Sequence, residues 1–247
     1  MERILQEGAE QMGFPLTETQ RGQLCRYAAL LKEWNEKINL TAITDDEGIA
    51  VKHFLDSLSA FVTGKVGRRV IDIGTGAGFP GLVLKIAQPQ TELTLLDSLN
   101  KRINFLKETA EQLELSGITF IHARAEDGAR RPELREQFDT AVSRAVANLP
   151  LLAELCLPYV RVGGYFLALK GPMADTELAE AKRAISILGG KTSEVVDVSI
   201  PFSQLNHKIV VIQKIAKTPV KYPRKPGVIG KVPIPTCYNV QHQQNKW

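Results

Sequence analysis

Over residues 1 to about 66 the apolar positions recur at helical spacing. Leu24, Tyr27, Ala28, Leu31, Trp34 and Ile38 form one stripe behind the capping box Thr17-Glu18-Thr19-Gln20, which predicts an amphipathic helix facing a core. Thr44-Asp45-Asp46-Glu47 reads as a second capping box ahead of Ile49, Val51, Phe54, Leu55 and Leu58, so another helix or helix pair is expected. Asn39-Leu40-Thr41 is the polar connection between them. His53 and Asp56 could line a site, but spacing alone is better explained by a surface helix that carries both by chance.

From Arg68 to about Lys214 the period changes to alternating strand and helix, the signature of a mostly parallel sheet covered by helices. Strands are predicted at Val70–Ile73, Glu92–Leu96, Thr119–His122, Thr140–Ser143, Tyr165–Leu169, Glu194–Val198 and Lys208–Gln213. A helix from about Asn100 carries Ile103, Leu106, Ala110 and Leu113 on one face. Another, after Asp175, carries Leu178, Ala181, Ile185 and Leu188 before Gly189-Gly190 stops it. Only Pro-Phe-Ser-Gln-Leu-Asn links the last two strands, too little for a crossover helix, so these two should be antiparallel.

Beyond Lys214, Pro219, Pro223, Pro226, Pro233 and Pro235 forbid a long helix or a central strand and predict an extended arm. The expected organisation is an N-terminal helical subdomain (1–66), an α/β core (67–216) and a C-terminal arm (217–247). Charge sharpens this division. Residues 208–247 hold eight Lys and Arg and no acid, whereas the rest of the chain holds 23 basic against 27 acidic residues. Such a basic end suits a polyanion such as nucleic acid, although a solvated tail is the plainer alternative. Cys25, Cys156 and Cys237 are scattered without a C-x-x-C, which disfavours a disulfide framework or a cysteine zinc site, and no metal is expected. No apolar run reaches the roughly 18 residues of a membrane span, and the first residues lack the build of a signal peptide. A cytoplasmic monomer without a membrane partner is expected.

The chemistry concentrates at Val70-Ile71-Asp72-Ile73-Gly74-Thr75-Gly76-Ala77-Gly78-Phe79-Pro80-Gly81, a buried strand entering a glycine-rich turn and then a helix. Glycines there let a ligand approach the backbone. Gly76-x-Gly78-x-x-Gly81 satisfies the dinucleotide pattern, and Asp97 ends the next strand where a carboxylate would bind a ribose diol. The same residues read as Asp72-x-Gly74-x-Gly76-x-Gly78, the acidic turn of enzymes that use S-adenosylmethionine. An antiparallel pair closing a parallel sheet favours the methyl donor; a nicotinamide oxidoreductase would usually bring a separate substrate domain. The loop after the third strand, Ala123-Arg124-Ala125-Glu126-Asp127, should reach the adenine, with an ordinary acidic helix start as the alternative for Glu126 and Asp127.

Ser143-Arg144-Ala145-Val146 after the fourth strand lacks the Asn/Asp-Pro-Pro-aromatic box of exocyclic-amine methylation, and no cysteine stands there as a nucleophile for pyrimidine carbon-5. A ring nitrogen such as guanine N7 fits better, because its free lone pair needs no general base and the site works by alignment. Arg144 suits such a site, since its planar fork could orient a carbonyl edge, the donor's carboxylate or a phosphate; a salt-bridged structural role is the alternative.

These stretches, with Leu96-Asp97-Ser98-Leu99-Asn100-Lys101-Arg102, Ala168-Leu169-Lys170-Gly171, Tyr222-Pro223-Arg224-Lys225-Pro226-Gly227, Asn39-Leu40-Thr41 and His53-Phe54-Leu55-Asp56-Ser57-Leu58, closely resemble the RsmG (GidB) family of bacterial 16S ribosomal RNA guanine-N7 methyltransferases over roughly residues 20–234. The resemblance implies a seven-stranded class I S-adenosylmethionine-dependent methyltransferase fold with a Rossmann-like core. It implies that Gly74, Phe79, Ala125, Glu126 and Arg144 line the donor pocket, and that the acceptor is a guanosine in the 530 loop of 16S rRNA, free or in the small subunit. Gly76 and Gly78 belong to the same turn; Asp97 is assigned to the ribose by its strand-end position. On the acceptor side, Lys221, Arg224, Lys225 and Lys231 of the arm are expected to contact phosphate, and Lys170 to approach the acceptor. A small-molecule methyltransferase of the same fold and, further off, a nicotinamide-binding oxidoreductase are the competing readings.

Overall fold

The computed structural model describes residues 1–204, 206–230 and 234. Helices α1 (Glu2–Gln11) and α2 (Glu18–Asn35) open the chain. Thr17 caps α2: its hydroxyl accepts from the Gln20 N–H while the Gln20 side chain accepts from the Thr17 N–H at 2.8 Å. The second cap differs from expectation by one position, since Asp45 rather than Thr44 accepts from the Gly48 N–H at 2.7 Å and starts α3 (Asp46–Ile49). The chain continues through a π-helical segment (Ala50–Leu55), α4 (Asp56–Leu58) and a 3-10 turn (Ser59–Thr63).

Seven strands then form one sheet: β1 (Arg69–Ile73), β2 (Glu92–Asp97), β3 (Ile118–His122), β4 (Phe138–Arg144), β5 (Val160–Lys170), β6 (Gly190–Ser199) and β7 (Asn206–Lys214), in the order β3-β2-β1-β4-β5-β7-β6. The first five are parallel, and β7 inserts antiparallel between β5 and β6. Strand order reverses between β1 and β4, so the crevice beyond their carboxyl ends is where such a sheet takes a ligand.

Alternation along the strands feeds a core on each face. Val70, Leu93, Leu95, Leu167 and Leu169 face α5 (Gly81–Ala87), α6 (Asn100–Gln112) and the N-terminal helices, from which Leu24, Tyr27, Phe54 and Leu58 join the same cluster. The N-terminal helices therefore complete the core on one face of the sheet. On the other face, Ile71, Ile73, Phe166, Ala168, Val210 and Ile212 pack with α8 (Leu149–Cys156) and α9 (Ala174–Ile187), and Ile229 of the arm is buried there too. Between β3 and β4 lies the short helix α7 (Ala125–Gly128). Lys214, at the end of β7, is fully buried against the Leu157 carbonyl, the Thr218 hydroxyl and Glu136, and burial lowers its pKa to about 8. No helix among the described residues is long and apolar enough to cross a membrane.

Candidate active site

The glycine turn is held from below and from the side. Asp72 is buried, and its Oδ2 accepts from the Thr75 hydroxyl at 2.7 Å and the Gly81 N–H at 2.8 Å. Burial raises its carboxyl pKa to about 6 against those two donors, and Oδ1 has no partner among the described residues. Asp72 thus braces the turn. From α2, the buried Tyr27 hydroxyl donates to the Ala77 carbonyl, and Gly74 and Thr75 donate to the Leu96 carbonyl of β2 at 2.9 and 3.1 Å.

The glycines do different work. At Gly76 (φ +60°) a side chain would meet only the Gly74 carbonyl, 3.9 Å away, so this is where the turn opens to a ligand. Gly78 (φ +94°) faces protein: a Cβ there would lie 2.4 Å from the Tyr27 hydroxyl and 2.8 Å from Leu106. Packing of α2 and α6, rather than a ligand's approach, requires that glycine. Above the turn is a cavity of about 420 Å³, floored by Gly74–Ala77 and Phe79, with Asp97, Ser98 and Arg102 on one side and Thr41, His53 and Arg144 on the other. Its size is that of a small-molecule site. Asp97 is 2% exposed; it accepts from the Gly76 N–H at 2.9 Å and the Leu99 N–H at 2.8 Å, with Arg102 at 3.4 Å.

Arg144 ends β4 and is followed by Ala145 at φ +56°, a left-handed conformation unusual for alanine. Its guanidinium donates to the Lys52 carbonyl at 3.0 Å and to Asp56 at 2.5 Å, and lies 5.1 Å over the Phe79 ring. The Phe79 ring is stacked on His53 at 4.5 Å and on Tyr27 at 5.5 Å. Arg144 also approaches His53 Nδ1 at 3.3 Å. Because a guanidinium only donates, His53 Nδ1 is the acceptor and its Nε2–H donates to the Thr41 hydroxyl at 2.7 Å. Burial, and then the Arg144 charge, push the His53 pKa down to about 4, so the ring is neutral at pH 7.

Asp56 links this wall to a second cavity. Its other oxygen accepts from His207 Nδ1 at 2.6 Å. Burial alone would raise the Asp56 carboxyl, but the His207 hydrogen bond and the Arg144 charge outweigh it and hold the group below its ordinary range. The same bond raises the His207 pKa against partial burial. The second cavity, about 340 Å³, shares His53, Arg144 and Ala145 with the first and adds Asp56, Leu169, Lys170 and His207. His53 and Asp56 are thus neighbours of Arg144 at the cavity wall, where helical spacing favoured a chance pair on a surface helix. His207 carried no motif signal; the sheet order places β7 next to β5, one strand away from β4, and from there His207 reaches Asp56.

Other expected site residues lie elsewhere. Ala125 and Glu126 begin α7 and are not part of the cavity lining, although Ala123 N–H donates to the Asp97 carbonyl at 3.1 Å just before them. Lys170 lines the second cavity but its ammonium is committed to the Ala147 carbonyl at 2.7 Å and Glu177 at 2.6 Å. Arg224 is turned into the protein: its guanidinium and backbone N–H all bind Glu154 of α8, a carboxylate only 1% exposed. Arg135 further ties the arm by donating to the Thr218 and Tyr222 carbonyls, both at 2.9 Å. Lys221 and Lys225 are exposed, Lys221 lying 5.4 Å over the Tyr222 ring. Lys231 lies outside the described residues.

Comparison with known proteins agrees with this geometry. A geranyl diphosphate methyltransferase solved in complex with SAM superposes with a TM-score of 0.50 at 12% identity, over 65% of this chain and 85% of that one. A structure described as the conversion of a disulfide bond into a thioacetal group during echinomycin biosynthesis gives 0.50 at 18% identity, over 64% and 81%. Both likenesses concern the fold, which is that of class I methyltransferases. Two proteins named ribosomal RNA small subunit methyltransferase G are far nearer in sequence: that of Alkaliphilus metalliredigens is 51% identical and that of Clostridium beijerinckii 52% identical. Each match spans 233 residues, 94% of this chain and 98% of the relative. The family described as GidB, rRNA small subunit methyltransferase G, matches residues 20–206. On that match and those relatives, the chain belongs to the GidB family of rRNA small subunit methyltransferases.

Proposed function

We propose that this enzyme methylates N7 of a guanosine in the 530 loop of 16S rRNA, with S-adenosylmethionine held over the glycine turn. The observation that carries the reading is the pair of adjoining cavities with one shared wall, in a chain of this family. The open face at Gly76 and the Asp97 carboxylate are chemically suited to a nucleoside: one admits it to the backbone, the other is an acceptor for ribose hydroxyls. The contact between Ala123 and Asp97 supports an adenine lying toward Ala125 and Glu126. When bound, the donor supplies an electrophilic methyl on a sulfonium.

The protein's share is alignment. Arg144, fixed by Asp56, the Lys52 carbonyl and the Phe79 face, is a rigid cation at the junction of the two cavities, and it orients the acceptor edge or the donor's carboxylate there. No residue has to remove a proton, because a neutral guanine N7 carries none. Exposed Lys221 and Lys225 are proposed as phosphate contacts of the arm, whereas Lys170, tied to Ala147 and Glu177, lines the second cavity. Calorimetry tests the pocket: S-adenosylmethionine should bind and NAD should not, and Asp97→Ala should weaken donor affinity at least tenfold. Undiminished affinity in Asp97→Ala would remove Asp97 from the ribose role.

A further inference from the structure

Among the described residues that line the second cavity, His207 offers a half-buried ring nitrogen to which no protein group is bonded. Arg144 is occupied by Lys52, Asp56 and His53, and Lys170 by Ala147 and Glu177. Both oxygens of Asp56 are taken, one by Arg144 and one by His207 Nδ1. His207 Nε2 has no hydrogen-bond partner among the described residues, and the ring, its side chain 23% exposed, lines the cavity. The Asp56 bond raises the His207 pKa, so the ring is neutral only on the alkaline side of that raised value; there, donation of Nδ1–H to the carboxylate leaves Nε2 as an acceptor, and the bond proposed below belongs to that form of the ring.

Resting on the proposed reaction, we infer that this cavity receives the guanine base and that His207 Nε2 accepts the hydrogen bond of the guanine N1–H, with Asp56 as the positioning residue behind the ring. The placement follows from the walls. The two cavities meet at His53, Arg144 and Ala145, whereas His207 belongs to the second cavity alone and reaches Arg144 only through Asp56. In a purine, N7 and N1 stand on opposite sides of the ring system. With N7 turned to the shared wall, N1 faces away from it, toward His207. Guanine carries a hydrogen at N1 and adenine does not, so an acceptor here distinguishes the two purines.

The same contact favours the reaction. The N7 lone pair forms the new N–C bond while the methyl's bond to sulfur breaks with its electron pair leaving on sulfur, so a positive charge passes to the purine and no proton is released. A cationic purine is a stronger N1–H donor, so the bond to His207 is stronger in the transition state than in the ground state. An interaction of that kind raises kcat more than it lowers KM.

The test compares His207→Leu, which removes the acceptor, with His207→Gln, whose amide oxygen restores one. Four quantities are read: S-adenosylmethionine affinity by calorimetry, rRNA affinity by filter binding, and KM and kcat for methyl transfer to small-subunit rRNA. His207→Leu should keep both affinities and KM within twofold while kcat falls at least tenfold, and His207→Gln should return kcat to within threefold of the unsubstituted enzyme. Full kcat in His207→Leu, equal loss in both variants, or a parallel loss of donor affinity would overturn the role of His207. Absence of any transfer by the unsubstituted enzyme would instead overturn the assigned reaction.

Discussion

Gly76 and Gly78 are two residues apart and face opposite demands. Gly76 is open to the cavity, so Gly76→Ala should cost the fold only the left-handed strain of about 1–2 kcal/mol while reducing donor affinity at least tenfold. Gly78→Ala adds a methyl against Tyr27 and Leu106 on top of that strain, and should destabilise the fold by roughly 3 kcal/mol or more. Denaturant midpoints and donor calorimetry on the two variants separate the effects. The spacing of the motif was legible as a ligand turn, but not which glycine met ligand and which met protein, because the partner of Gly78 comes from a helix 51 residues earlier in the chain. His53 and Asp56 were named as residues that could line a site, but spacing favoured a chance pair on a surface helix, because helical period describes their own face and Arg144 is 88 residues from Asp56.

Protonation at this scale runs in two directions. His53, lowered to about 4, stays neutral in the fold while the unfolded ring protonates below its ordinary 6.5; its stabilising contribution is present above pH 6.5 and lost as pH falls toward 4. Asp72, raised to about 6, takes up a proton in the fold before the unfolded carboxyl does, so the fold gains relative stability as pH falls from 6 to 3.8. The two oppose each other over much of that range. Single variants should unmask them in urea titrations: between pH 6.5 and 4, Asp72→Asn should lose more stability than the unsubstituted protein and His53→Gln less, each difference being on the order of 2 kcal/mol. Parallel pH profiles for all three proteins would contradict this assignment.

Among the elements, the arm shows best what composition can and cannot say. Its prolines announced an extended segment and its charges a basic one, yet Arg224 turns inward to a buried acid 70 positions earlier, on α8. A charge count does not distinguish a cation that meets solvent from one that neutralises a carboxylate in the core. Arg224→Ala removes the guanidinium and leaves the buried Glu154 only the backbone N–H of residue 224, and should destabilise the protein by roughly 3 kcal/mol. Lys221→Ala with Lys225→Ala should leave the melting temperature unchanged but weaken rRNA binding and make it less steeply dependent on salt, by about one unit of logarithmic slope for each phosphate no longer neutralised. An unchanged slope would remove the arm from the RNA interface. The N-terminal helices teach a related lesson: their stripe was readable as core-facing, but the surface they cover, the turn-bearing face of the sheet, emerges only when Tyr27 and Phe54 join the cluster of Val70, Leu95 and Leu167.

For the molecule as a whole, the strand pattern was the most legible feature, because strands alternating with helices and a linker too short for a crossover constrain topology locally. All seven strands fall where the pattern puts them, and the closing pair is antiparallel as its short link requires. The site was legible only where it lies on one continuous stretch. Its second half is assembled from the π-helical segment, α4, β4, β5 and β7, pieces that only the tertiary fold unites. Two adjoining cavities share the wall of Arg144 and His53, and the proposed transfer places the donor on one side of it and the base on the other. The most direct measurement is transfer of a labelled methyl group from S-adenosylmethionine to small-subunit rRNA, followed by digestion to nucleosides and mapping of the modified position. The account predicts 7-methylguanosine at a single guanosine of the 530 loop; label on another atom or at another site, or no label in either free rRNA or the assembled subunit, would contradict it.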